Sequence, residues 1–103
     1  MSSVLSQPEI RATVEVSYTP ERKQELHRLN KNDCPLLITL LQLVLPKVGA
    51  KNISILTPKE VDNRIADITI ELTIPSKDYL RKVENLIREK GGKSVGKILV
   101  LTE

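Results

Sequence analysis

The sequence predicts an α+β domain of the ferredoxin-like βαββαβ type: one sheet with two helices packed on one face. Three observations carry this. Two stretches, 10–18 and 65–74, alternate apolar and polar residues with the period of a half-buried strand. Two others, near 36–48 and 77–90, place apolar residues at helical spacing. The elements run strand, helical region, strand, strand, helix, strand, an order in which four strands can share one sheet.

Residues 1–9 contain Pro8 and no periodicity, so they read as a flexible arm ahead of a single domain over 10–103. In IRATVEVSY, residues 10–18, Ala12, Val14, Val16 and Tyr18 fall on one face and Thr13, Glu15 and Ser17 on the other. Thr19-Pro20-Glu21 is a helix start: a hydroxyl that can cap, a proline suited to the first helical position, and an acid that matches the dipole. The segment that follows has only Leu26 and Leu29 as apolar residues. It suits a short helix or the second arm of a hairpin with 10–18, and the start signal favours the helix.

Lys31 to Pro35 is a loop ending in a second helix start, with Asp33 or Cys34 near the cap and Pro35 in the first turn. The helix from about 35 to 48 contains LLITLLQLVL, residues 36–45, in which only Thr39 and Gln42 are polar. A surface helix carries a narrower apolar stripe, so this one is expected to pack on more than one side. Pro46 should bend it or end it near Leu45, and Gly49 should stop it.

NISILT, 52–57, is a short strand, and 58–64 is a turn-rich connection. In 65–74, Ala66, Ile68, Ile70, Leu72 and Ile74 face one way, while Asp67, Thr69, Glu71 and Thr73 face the other. That pattern predicts a sheet with one buried and one wet face. Pro75-Ser76 starts the last helix with Ser76 as cap; Tyr79, Leu80, Val83, Leu86 and Ile87 form its stripe, and Gly91-Gly92 ends it. The last strand is 94–102.

The core must be aliphatic, because the chain has no Phe or Trp and only two tyrosines. A net charge of +3 is mildly basic, short of the concentrated basic stripe of a dedicated nucleic-acid binder. Bases do gather in the last third, but glutamates dilute them. The outward sheet positions lack the aromatics on which RNA-binding sheets stack bases. The single cysteine, Cys34, excludes an intramolecular disulfide and fits a reducing compartment. MSSVLSQPEI has neither a basic nor an apolar leader region, and the apolar run at 36–45 is about half a membrane span. A cytoplasmic protein without membrane contact is expected.

No set of residues assembles a catalytic apparatus. His27 and Cys34 are the one nucleophile–base candidate, and seven residues of loop and helix do not bring them together. They are also too few for zinc. Asp67 and Glu71 lie two steps apart on the expected open face, where acid–base work would need a desolvated pocket. Asp62, Asp78 and Glu84 are scattered. Gly91-Gly92-Lys93-Ser94 follows a helix and opens a strand, the reverse of a phosphate-binding loop. No enzyme, cofactor or metal is expected.

Asp33-Cys34-Pro35-Leu36-Leu37 is similar to the D-x-P-G-L-L lead-in to the first helix of ACT domains, and Val48 to Ile55 resembles that family's G-x-N-I-x-S-I passage into the second strand. Together with the strand–helix unit that follows, residues 30–92 resemble an ACT-like module, a small ligand-responsive domain of this fold. Leu36 stands where the family has a glycine that lets an amino-acid ligand approach the backbone. The resemblance implies a site formed by Asn32, Asp33, Leu36 and Leu37 with Gly49, Asn52 and Ile53. Helix N–H groups near Leu36 and Leu37 would receive a carboxylate, and Asp33 an ammonium group. It also implies association side by side, by sheet edges or helices. With the helix apolar all round, Leu37, Leu40, Leu41 and Val44 are the expected interface.

The leading expectation is a non-enzymatic, homodimeric regulatory module binding a small ligand or controlling a partner protein. The alternatives are an interaction or assembly subunit without a ligand, which the missing glycine favours, and a nucleic-acid accessory protein.

Overall fold

The computed structural model of the chain describes residues 9–29, 35–56 and 67–102. The expected arm at 1–9, except Glu9, the loop with Asn32, Asp33 and Cys34, and the connection over 58–64 lie outside the described residues. The elements are β1 (Ile10–Tyr18), α1 (Pro20–Arg28), α2 (Pro35–Val44) with a 3-10 turn over Leu45–Val48, β2 (Lys51–Leu56), β3 (Ile68–Ile74), α3 (Asp78–Gly91) with a 3-10 turn over Gly92–Ser94, and β4 (Val95–Thr102).

The strands form one sheet in the order β2-β3-β1-β4, with every neighbouring pair antiparallel. This is the ferredoxin-like α+β fold. Strand alternation works as the sequence requires: Ala12, Val14, Val16 and Tyr18 of β1 and Ile68, Ile70, Leu72 and Ile74 of β3 are buried in one core. The helices cover that face with Leu26 of α1, Leu37, Leu41 and Leu45 at four-residue intervals along α2 and its turn, and Val83 and Ile87 of α3.

The undecided segment after β1 is a helix. Thr19 Oγ1 accepts the Arg22 N–H at 3.3 Å, Pro20 occupies the first turn, and the Tyr18–Thr19 corner is held by the Thr19 N–H donating to Ser94 O. At the end of α2, Pro46 tightens the chain into the 3-10 turn, and Gly49 closes it in the left-handed region, φ 96°.

Three expectations need correction. Ser76 does not cap α3 by its side chain. The helix begins at Asp78, its N-cap Lys77 makes no side-chain cap bond, and Ser76 contributes its carbonyl to the Tyr79 N–H. β3 begins at Ile68, because Asp67 turns toward the end of β1: its N–H donates to Val16 O at 2.9 Å and its carboxylate accepts the Tyr18 N–H at 2.8 Å. Asp67 therefore does not share the open face with Glu71. Nor is that face uniformly wet. Thr69 and Thr73 are only 3% and 7% exposed. They are short side chains on a central strand, Thr69 between Glu15 and Leu56 and Thr73 between Arg11 and Lys51.

Candidate functional site

Of the residues expected at a ligand site, the described ones, Leu36, Leu37, Gly49, Asn52 and Ile53, lie at separate places within one chain. Leu36 is exposed at the start of α2, while Leu37 is buried in the core beside Gly91. Gly49 lies at the far end of the same helical segment. At helical rises, the thirteen residues from Leu36 to Gly49 span roughly 20 Å. Gly49 instead sits against Tyr79 and Pro75, at the start of α3. Asn52 has φ 51° inside the irregularity between Lys51 and Ser54, and its Nδ2 comes within 3.5 Å of Thr73 Oγ1. Ile53 is half-buried against the core. Asn32 and Asp33 lie outside the described residues.

Among the described residues, two concave features bear on a site. The first is on the open sheet face, a shallow groove of about 580 Å³ lined by Arg11, Thr13, Asn52, Ser54, Glu71 and Thr73, with Glu9 at its end. Strand register arranges this face in rows. Leu56, Thr69, Glu15 and Leu99 lie side by side across the four strands, and Ser54, Glu71, Thr13 and Leu101 form the next row. The centre is polar and both edges carry leucine. The second is a cleft of about 400 Å³ between the turn after α2 and the start of α3, lined by Lys47, Val48, Gly49, Tyr79 and Lys82.

The expected interface residues are divided by the fold. Leu37 and Leu41 are spent in the chain's own core, and Leu40 and Val44 are half-buried. What α2 leaves outside is Leu36 and Leu43, 69% and 62% exposed and seven residues apart on one side of the helix. The excess apolar surface read from the sequence is therefore real, on different leucines.

The sheet edges carry a second apolar surface that the sequence reading missed. β2 is short, irregular and polar at its start, all of which blunt an edge. β4 keeps regular register with β1 from Lys97 to Thr102, holds one charge, Lys97, and no proline, and has no second strand partner among the described residues. Leu99 and Leu101, 43% and 47% exposed, lie on its open-face side, and Ile98 and Val100 pack toward the core. The signal was the unbroken run ILVL, residues 98–101, apolar on both faces where a strand covered on one side should alternate.

The remaining polar candidates have structural positions. His27 is exposed on α1. Asp67 holds the Tyr18 N–H and lies 3.6 Å from Lys23 Nζ. Gly91 lets the end of α3 meet Val95 closely; a Cβ there would collide with the valine side chain. Among the described residues no three His, Cys, Asp or Glu side chains gather as a metal site, and no helix is long and apolar enough to cross a membrane.

No protein-family model matches the chain, and no curated protein matches it. Solved structures do. A dimeric ferredoxin-like protein of unknown function from Thermobifida fusca matches with a TM-score of 0.58 at 11% identity, over 92% of this chain and 89% of that one. A DABB-family protein with a ferredoxin-like fold from Mesorhizobium loti matches with a TM-score of 0.59 at 13% identity, over 94% and 96%. A dimeric protein of unknown function and ferredoxin-like fold from Bacteroides fragilis matches with a TM-score of 0.62 at 7% identity, again over 94% and 96%. At these identities the likeness is one of fold.

Proposed function

We propose that this chain is a non-enzymatic homodimeric module, ACT-like in working through association and the binding of a small ligand or partner. The observation that carries this reading is the unprotected β4 edge. Six residues of regular strand, Lys97–Thr102, have one side without a strand partner among the described residues, with Leu99 and Leu101 beside it. Such an edge pairs with another chain unless it is blocked. A second copy laid antiparallel along β4 pairs with that side and covers the leucines of both copies at once, as a two-fold interface requires. That two of the similar solved structures are described as dimeric supports the same reading. The non-enzymatic part is supported by where the described polar groups are: Asp67, Glu71, Asp78, Glu84 and His27 sit apart, and among the described residues no nucleophile, base and oxyanion donors surround one point.

Sedimentation velocity tests it. A dimer at micromolar concentration that becomes a folded monomer in a Leu99→Lys, Leu101→Lys variant supports the proposal; a native chain that remains monomeric overturns it. The exposed pair Leu36 and Leu43 favours a second reading, an assembly subunit that holds a different protein through α2. In that case a Leu36→Lys, Leu43→Lys variant loses a stoichiometric partner while its own oligomeric state is unchanged.

A further inference from the structure

The cleft between the turn after α2 and the start of α3 has a charge arrangement that the fold does not require. Lys47 comes from the 3-10 turn and Lys82 from α3, two elements brought together by the Gly49 reversal. Neither lysine has an acidic partner among the described residues. Lys82 has one within sequence reach: Asp78 lies four residues earlier, the spacing and orientation of a favourable helical ion pair. The ammonium group instead lies over the Tyr79 ring, 4.8 Å from its centroid, at the wall of the cleft. Further along α3, Arg88 is paired with Glu84 and Lys90 with Glu89, while Lys77 and Arg81, like Lys82, have no acidic partner among the described residues. Of these uncompensated bases, Lys47 and Lys82 are the two that line the concavity.

We propose that this cleft binds a small oxyanion, held between the Lys47 and Lys82 ammonium groups, with Tyr79 and Val48 as its apolar wall. This deepens the ligand-binding part of the function proposed above and places the ligand away from the helix start at Leu36. Two ammonium groups facing one hollow repel each other, and an anion between them turns that repulsion into two charge-assisted hydrogen bonds. The hollow, of about 400 Å³, is open to solvent and admits a small anion from one side. A nucleic acid would draw on a continuous basic surface; the ion pairs at Arg88 and Lys90 separate Lys77, Arg81 and Lys82 from Lys93 and Lys97 along the chain, and the RNA arm of the test below reads whether these bases act together. The ligand is accordingly a phosphorylated or polycarboxylate small molecule.

The test is an amide NMR titration of the full chain with pyrophosphate in one arm, citrate in a second and a short single-stranded RNA in a third. The expected result is saturable shifts confined to Lys47–Ala50 and Tyr79–Val83 with pyrophosphate or citrate, and the tighter of the two identifies phosphate or carboxylate as the natural group. The K47Q/K82Q variant, both of whose side chains are exposed, should keep its melting temperature and bind about tenfold or more weakly. Unchanged affinity in that variant overturns the proposal, as do shifts scattered without saturation over all exposed lysines. Tighter binding of the RNA, with a steep salt dependence, also overturns it in favour of a nucleic-acid surface. Sedimentation of the same samples reads the dimer separately, so loss of anion binding with the dimer intact counts against this site alone.

Discussion

Gly49 and Tyr79 are in contact across the turn that joins α2 to β2: a Cβ built on Gly49 would lie 3.0 Å from Tyr79 Cε2. The same residue has φ 96°, so any side chain there meets both an unfavourable backbone region and a ring that must move. Gly49→Ala should lower stability by about 1–3 kcal/mol, the sum of a left-handed penalty and a local repacking. Chemical denaturation with tyrosine fluorescence measures it. A loss below about 0.5 kcal/mol would mean that the turn relaxes and that the glycine is not what fixes the cleft.

The two sides of α2 should answer differently to the same substitution. Leu41 is fully buried between the sheet and α3, and Leu43, two residues on, is mostly in solvent. Leu41→Ala should cost about 2–5 kcal/mol through lost burial and the cavity left behind. Leu43→Ala should lie within about 0.5 kcal/mol of the native chain at concentrations too low for association. If Leu43→Ala is nearly as costly as Leu41→Ala, and the cost grows with protein concentration, then α2 rather than β4 holds the partner copy.

The contrast on α2 also shows what the sequence could and could not convey. Most regular elements were legible, because period-two and period-3.6 patterns report directly on which residues face a common core; α1 was left between helix and hairpin strand because only Leu26 and Leu29 in its segment are apolar. The end of α2 was legible for the same local reason, since Pro46 and Gly49 act on their own backbone. The exposed side of a helix that is apolar all round was not, because no pattern in the helix itself says where the sheet lies. The irregularity at Asn52 in β2 was likewise invisible, as it depends on pairing with β3. That Leu36 and Gly49 lie at opposite ends of one helical segment within a chain follows from length alone, since a helix separates the two motifs. The lysine cleft requires residues 47 and 82 to meet through tertiary packing, and no local signal carries that.

The β4 edge makes a prediction about backbone protection as well as mass. If a second copy pairs along it, the outward-facing amides of β4 should exchange slowly in the dimer and fast in the Leu99→Lys, Leu101→Lys monomer. The amides of β1, which are inside the sheet in either state, should stay protected in both. Hydrogen–deuterium exchange read by NMR separates the two strands. Fast exchange at the outer β4 amides in a proven dimer would move the interface to the open face or to α2.

Asp67 offers a test in which charge and hydrogen bonding come apart. Its carboxylate accepts the Tyr18 N–H at 2.8 Å and also lies 3.6 Å from the half-exposed Lys23 ammonium group. Asp67→Asn removes the charge but keeps an oxygen that can accept from Tyr18, so only the solvent-screened attraction to Lys23 is lost, about 0–1 kcal/mol. Asp67→Ala strands the partly buried Tyr18 N–H where β1 turns into α1, at a cost of about 1–3 kcal/mol. Thermal melts at low and high salt distinguish the terms: the Asn variant should approach the native chain as salt rises, and the Ala variant should not. Equal losses for the two variants would show that Lys23, not the backbone of β1, is the partner that matters. The corner between β1 and α1 would then be held by the Thr19 cap and by the Thr19 N–H bond to Ser94 O.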